Sequence, residues 1–315
     1  MNIVVIGVGG IGSFYGLLLQ EKKHHVQFVS RGKTLEYLQN NILLLSHPEY
    51  KIEEKVNVCS MQELIQKDFS NIDVVFLTTK SMSTQKIAIE LSSWFQNSNN
   101  IPYIVSLQNG VENENILAKH IKKEFVIGGL TRLIAAHIIK PGLVEAQGEV
   151  ETILGALFPN KENEVFLNSL KTMLDATPTK TILSKNIIKE LWLKLIINNG
   201  VSASCALLEE KSGVLINNTK TSKLVYGLMK EAALASNALD LGIKQKEVDD
   251  MFELMKKFDS IKPSMWIDKN NNKDLELEEI CGTVIKYCEI QGFDAPYTRS
   301  ISSVLEFLYE KSRVE

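Results

Sequence analysis

IVVIGVGGIGSFYGLLLQEKKHHVQFVSR, residues Ile3 to Arg31, reads as a strand, a glycine turn, a helix and a second strand, with Gly7, Gly9 and Gly12 in the spacing G-x-G-x-x-G. Ile3 to Ile6 is a short apolar run suited to a buried parallel strand, and Ile11 to Gln20 holds no proline or charge to break a helix. Gly7 lets the chain turn sharply off the strand, Gly9 lets backbone approach a pyrophosphate, and Gly12 lets the helix pack against the sheet. Gly10 and Ile11 open the helix, whose first N–H groups and partial positive charge favour phosphate. The glycine pattern alone is weak, but between a strand and a helix it reads as a dinucleotide cradle.

A signal peptide or membrane segment is the competing reading, because Ile3 to Leu19 carries no charge. It fails on three counts: no basic residues precede the run, the glycines would weaken an inserted helix, and the run is shorter than the roughly 20 residues a span needs. No other stretch reads as long and apolar enough to span, which leads to the expectation of a soluble protein with no membrane partner. The second strand, Val26 to Ser30, ends in Ser30-Arg31. An acidic residue there would hold the ribose 2'-hydroxyl of NAD, whereas a hydroxyl and a cation suit a 2'-phosphate, so NADP(H) is favoured over NAD(H).

At 315 residues the chain is too long for one ordinary core. The texture changes after Pro159, and two domains are expected, residues 1–183 and 184–315. The net charge of -3 offers no basic field to nucleic acid or an anionic membrane. The four cysteines, Cys59, Cys205, Cys281 and Cys288, show neither C-x-x-C pairing nor metal spacing. They suggest reduced thiols in a cytoplasmic protein without a metal. All five histidines lie at or before His137, so a proton donor from the C-terminal half cannot be histidine.

Along the first domain, Gly32 to Asn40 reads as a short helix and residues 42–60 as extended segments broken at Pro48. Ile72 to Leu77 is a buried strand that ends in Thr78-Thr79-Lys80, and Met82 to Phe95 has helical spacing. Lys80 therefore sits where a strand's carboxyl end faces a ligand crevice. Tyr103 to Leu107 is a strand running into Gln108-Asn109-Gly110, either a plain tight turn or a hydrogen-bonding position for Asn109. Phe125 to Leu130, Leu143 to Gln147 and Glu151 to Leu154 are further extended segments. The alternation predicts an α/β fold, a Rossmann-type doubly wound and mainly parallel sheet. Glu162 to Leu174 is helical and Thr177 to Leu183 a last strand or linker. From Ser184 onward an all-helical C-terminal domain is expected.

Leu191 to Leu208, LWLKLIINNGVSASCALL, is apolar enough to be buried, yet Lys194, Asn198 and Ser202 fall four apart on one helix face. Burying an unpaired ammonium is costly, so Lys194 either reaches water or faces a polar cleft with a counter-ion. With the glycine cradle, Thr79-Lys80, Gln108-Asn109-Gly110, W-x-K-L-x-x-N on this helix, and Ser264-Met265 followed twelve residues later by Glu276 leading into Ile280-x-Gly282, the chain resembles the ketopantoate reductases, or 2-dehydropantoate 2-reductases. The resemblance runs over essentially the whole length.

The resemblance implies NADPH-dependent reduction of 2-dehydropantoate to pantoate, a step toward pantothenate and coenzyme A, on a small 2-oxo acid. Lys194 resembles the catalytic lysine and Glu276 its partnered carboxylate, while Asn198 and Ser264 resemble substrate-binding residues. Arg31 and Lys80 resemble the cofactor-side cations, and Asn109 the asparagine between cofactor and substrate. Such a substrate would meet residues of both domains, and closure around it is expected. The chain departs from the family at Ser202, where a second asparagine is usual, and reads Ser264-Met265-Trp266-Ile267-Asp268 where the family pattern is S-M-L-x-D. A shorter donor at Ser202 and the indole of Trp266 motivate the alternative of another 2-oxo acid or a ketolactone. A non-catalytic NADP-binding sensor is the third reading, disfavoured because it has no evident need of Lys194 and Glu276. A homodimer is compatible with the sequence but not specified by it.

If Arg31 binds the 2'-phosphate, replacing it by Ala or Asp removes a charge-assisted contact worth about 1.5–3 kcal/mol. Fluorescence titration is then expected to show NADPH affinity falling on the order of tenfold to hundredfold and NADH affinity changing little. Equal losses for the two cofactors would contradict the assignment.

Overall fold

The computed structural model describes residues 1–96, 98, 100–257 and 261–314. It separates into two compact units: residues 1–108 with 112–187, and residues 109–111 with 188–315. The first holds twelve strands: β1 (Asn2–Ile6), β2 (His25–Val29), β3 (Leu43–Ser46), β4 (Lys51–Glu54), β5 (Asn57–Cys59), β6 (Val74–Leu77), β7 (Tyr103–Ser106), β8 (Val126–Arg132), β9 (Ala135–Lys140), β10 (Leu143–Gln147), β11 (Val150–Ala156) and β12 (Thr179–Leu183). Its helices are α1 (Gly10–Glu21), α2 (Gly32–Asn40), α3 (Met61–Leu64), α4 (Thr84–Trp94), α5 (Asn113–His120) and α6 (Lys161–Asp175).

Eight strands form one sheet in the order β12-β11-β8-β7-β6-β1-β2-β5. All its pairs are parallel except β8 with β11. Side chains alternate across a strand, and the core divides accordingly. Ile3 and Val5 of β1 and Val74 and Phe76 of β6 join a cluster with Phe14, Leu17 and Leu18 of α1 and Leu170 and Leu174 of α6. Val4 and Ile6, with Val75 and Leu77, face Ile87 and Leu91 of α4 and Leu117 of α5. This is why these strands read as unbroken apolar runs: both faces of the sheet are covered, as a doubly wound fold requires.

The structure adds a second sheet the sequence did not reveal, β4-β3-β10-β9. Leu43, Leu45, Ile52, Val144 and Ala146 of this sheet are buried in the cluster that holds α1. Consequently the extended segments Leu143–Gln147 and Glu151–Leu154 belong to different sheets, and Thr179–Leu183 is a strand rather than a linker.

Among its described residues the second unit holds helices and no strand: α7 (Ile187–Leu208), α8 (Ser212–Asn217), α9 (Thr221–Ser236), α10 (Gln245–Met255), α11 (Ser264–Asn270), α12 (Thr283–Ile290) and α13 (Pro296–Val314). α7 is packed by its neighbours. Trp192 meets Tyr287 of α12 edge to face at 5.3 Å, and a Cβ on Gly200 would lie 2.7 Å from Met229 of α9. The Asn199 amide donates to Leu228 O of α9 at 2.9 Å and to Thr298 Oγ1 of α13 at 3.0 Å. The Glu231 carboxylate accepts the N–H groups of Tyr297 and Thr298 at 2.8 and 2.7 Å, capping the start of α13. One expectation needs correcting: α7, at 22 residues with mean hydropathy 1.4 over its most apolar window, is long and apolar enough to cross a membrane by length and composition. That window is 67% buried within the protein, so its apolar character is accounted for by packing.

Candidate active site

β7, β6, β1 and β2 are consecutive and parallel in the sheet, so the segments that follow them emerge along one edge spanning roughly 14 Å, three inter-strand gaps. Those segments are Gln108-Asn109, Thr78-Thr79-Lys80, the Gly7 turn and Ser30-Arg31. Four sequence-derived candidates from distant parts of the chain thus follow adjacent strands. β1 is also the switch point: the chain proceeds to β2 on one side and returns at β6 on the other, where open α/β sheets bind ligands.

The glycine turn fits a dinucleotide pyrophosphate. Gly7 has φ +106°, a conformation disfavoured for other residues, and its N–H donates to Val29 O at 3.0 Å. A Cβ on Gly12 would lie 1.9 Å from Gly7 O and 2.4 Å from Thr78 Oγ1, so the helix contacts the strand end with no space for a methyl. Gly9 is the opposite case. A Cβ there would meet nothing within 4 Å, and this open side is where a phosphate group has room to approach the backbone. Gly10, expected at the cofactor, has a different constraint: its Cβ would lie 2.0 Å from Ala136 O of β9. Its lack of a side chain therefore serves packing of the second sheet over the helix start. Ile11 is half-buried and packs against the same core.

Arg31 is exposed at the N-cap of α2, and its guanidinium has no ion-pair or hydrogen-bond partner among the described residues. Lys80 is half-buried and caps a 3-10 turn, Ser81–Ser83, its carbonyl accepting Ser83 N–H at 3.0 Å. Asn109 is half-buried, and residues 109–111 group with the second unit.

Sequence reasoning missed a buried polar group at this edge. The Gln108 amide donates to Thr84 Oγ1 at 2.9 Å and Thr79 O at 3.1 Å, and Thr84 Oγ1 donates to Asn113 Oδ1 at 2.8 Å. All three side chains are buried. Glu114 is also buried, with neither carboxyl oxygen in hydrogen-bonding geometry. Burial pushes its carboxyl up to about 7, and the nearby Ser106 hydroxyl and its own N–H offset this only in part. The signal available was the run Gln108 to Glu114, unusually polar after a strand as apolar as β7.

In the second unit, Lys194 and Asn198 are half-buried on α7, whereas Ser202, expected on the same face, is buried at 3% exposure. Ser264 is the first residue of α11, which is tied to α7 by Lys269 Nζ donating to Ala206 O at 3.0 Å. Glu276, at 4% exposure, precedes a single π-helical turn, Glu278–Gly282, an irregularity common at functional sites. The segment before Glu276 is anchored by Tyr309 Oη donating to Lys273 O at 2.8 Å and by the Arg313–Asp274 pair at 2.9 Å. Trp266 is buried beneath the Lys262 ammonium, 4.6 Å from the ring centroid.

The model for Ketopantoate reductase PanE/ApbA matches residues 3–158, and that for its C-terminal domain matches residues 186–309. The chain belongs to the ketopantoate reductase family. The 2-dehydropantoate 2-reductase of Pyrococcus horikoshii is 27% identical over 94% of this chain and 93% of that one. The structure of 2-dehydropantoate 2-reductase from Geobacter metallireducens matches with TM-score 0.85 and 27% identity over 98% of this chain and all of that one. D-mandelate dehydrogenase in complex with NADH and anilino(oxo)acetate has TM-score 0.88 over 99% of both chains, and at 21% identity it shows the fold alone. Ketopantoate reductases are oxidoreductases with NADP(H) as the usual cofactor, and this chain is an oxidoreductase of that kind.

Glu114 gives a pH prediction. Its carboxyl is protonated more readily in the folded protein, at about 7, than in the unfolded chain, near 4.5. The stability this contributes is complete below the unfolded value and is lost as pH rises through about 7, a loss of up to about 3 kcal/mol. Glu114→Gln removes the titration. Thermal melts should show the variant gaining stability over the parent at pH 8.5 and much less at pH 5; a difference independent of pH would contradict this account of Glu114.

Proposed function

We propose that this ketopantoate reductase homologue reduces 2-dehydropantoate to pantoate with NADPH, toward pantothenate and coenzyme A. The observation that carries the proposal is Lys194: a half-buried lysine within Leu191 to Leu208, the apolar stretch of α7 in which it is the one charged residue, one turn before half-buried Asn198. A lysine that only needed solvation would gain nothing from such a helix, because desolvating its ammonium is costly.

The residues divide the work by chemistry. The Gly7–Gly12 backbone, Arg31 and Lys80 would hold the pyrophosphate and 2'-phosphate of NADPH. NADPH supplies the hydride. As negative charge grows on the ketone oxygen, the Lys194 ammonium would stabilise it and then donate the proton, and the Glu276 carboxylate would keep that ammonium charged and oriented. Asn198 and Ser264, with Asn109, would orient the substrate's carboxylate and hydroxyl, and Ser202 would serve as a further donor. The alternative substrate, another 2-oxo acid or ketolactone, keeps its two supporting features, Ser202 in place of a longer asparagine and the indole of Trp266, both buried in the helical unit.

Lys194→Ala and Glu276→Ala should each lower turnover of 2-dehydropantoate by about a hundredfold or more, the scale of a lost general acid. NADPH affinity, read by fluorescence titration, should stay within about threefold of the parent, because the residues assigned to its phosphates are elsewhere. A Lys194→Ala protein that reduces the ketone as fast as the parent would require a different proton donor.

A further inference from the structure

The last main-chain rung between β6 and β7 is Leu107 N–H donating to Leu77 O at 2.9 Å. Beyond it, the main chain at Thr79 and Lys80 accepts hydrogen bonds from the segment that follows β7. A side chain takes over. Gln108 Nε2 lies 3.1 Å from Thr79 O, 3.2 Å from Thr79 Oγ1, 2.9 Å from Thr84 Oγ1 and 3.4 Å from Lys80 O. Carbonyl oxygens only accept, so the two flanking carbonyls fix which end of the amide is the NH2 group. Thr84 Oγ1 therefore accepts from Gln108 and passes its own proton to Asn113 Oδ1 at 2.8 Å. This directed chain joins the segment after β6, the segment after β7 and the first residues of α4 and α5.

Thr78 does the same one strand over, its hydroxyl donating to Gly7 O at 2.7 Å and Ile6 O at 3.1 Å. The sheet is thus continued past its last rung by side chains on both flanks of β6. Gln108, Thr84 and Asn113 are exposed by only 3%, 0% and 2%. Burying an amide has a cost that a leucine of similar size would avoid, so a buried glutamine is informative about what it bonds.

We propose that Gln108, through the Thr84 relay, is a positioning residue for Lys80: it fixes the main chain from which the Lys80 ammonium approaches the cofactor phosphates. This rests on the cofactor-side role given to Lys80 above. Small displacements of positioning groups cost affinity and rate out of proportion to their size. The relay has a direction, so the isosteric Thr84→Val breaks it, whereas Thr84→Ser keeps the hydroxyl.

NADPH binding to the full-length protein, followed by fluorescence titration, needs no substrate. Gln108→Leu and Thr84→Val should each weaken NADPH about tenfold, the effect of losing a buried hydrogen-bonded contact, and Thr84→Ser should bind within twofold of the parent. Thr152→Val is the control for general destabilisation, because Thr152 Oγ1 makes a buried 2.6 Å hydrogen bond to Tyr15 Oη on another part of the same unit. It should leave NADPH affinity within about twofold. The discriminating readout is the cycle with Lys80→Ala: removing Lys80 should matter several-fold less in Gln108→Leu than in the parent, because the two act through one another. If Gln108→Leu does not fold, the same cycle on Thr84→Val decides.

The proposal is overturned if both variants bind NADPH within twofold of the parent, if Thr152→Val weakens binding as much as they do, or if the Lys80 effect is additive. A parent that binds NADPH but oxidises none with 2-dehydropantoate defeats the functional proposal and leaves this one standing on the binding data. A parent that binds no NADPH defeats both.

Discussion

At three points the chain from β1 through α1 leaves no room for a side chain, and the rest of the first unit is arranged around them. Gly12 sits against Gly7 O, Gly10 against Ala136 O, and Gly16 against the ring of Phe28, with would-be Cβ separations of 1.9, 2.0 and 2.3 Å. Each contact fixes a different partner: the end of β1, the second sheet and β2. Gly9 is open, with nothing among the described residues within 4 Å of a would-be Cβ, and this is the side of the turn available to a phosphate. The turn is therefore both a packing device and a binding surface, and substitutions at its glycines separate into those that displace β9 or β1 and those that only obstruct a ligand.

What was legible in the sequence follows from the range of the interactions involved. β1, α1, β2 and α2 are local, and their pattern of apolar runs and glycines gives their positions to within a residue or so. β6 and β7 were legible because burial on both faces leaves a continuous apolar signature, and α7 because most of its length is buried by its neighbours. The four-stranded sheet was not, because its strands are short, β4 is the charged segment Lys51–Glu54, and β3 pairs with β10 nearly a hundred residues away. No window along the chain contains that pairing. The same limit hid the role of Gln108, which reads as the start of a tight turn until Thr79 and Thr84 are placed beside it.

The candidate residues of the helical unit show how polar groups on an apolar helix can be told apart. Asn198 and Asn199 are neighbours of the same type, yet Asn199 is buried and its amide is spent on α9 and α13, whereas Asn198 is half-buried one turn beyond Lys194. Glu231 is likewise committed to capping α13. Sequence spacing put Lys194, Asn198 and Ser202 on one stripe, and exposure divides it, with Ser202 buried. A helix as apolar as α7 can carry such residues because their neighbours supply the packing that holds them.

The proposed reaction is reduction of a 2-oxo acid by NADPH, with the Lys194 ammonium as proton donor. Spectrophotometric oxidation of NADPH by the purified full-length chain, run in parallel on 2-dehydropantoate, its lactone and a series of other 2-oxo acids, tests it most directly. Stoichiometric NADPH consumption with 2-dehydropantoate, at the highest kcat/KM of the series, is the expected result. Binding of NADPH without oxidation by any member, or a preference of more than about tenfold for a different 2-oxo acid, a difference of about 1.4 kcal/mol in transition-state binding, would contradict it.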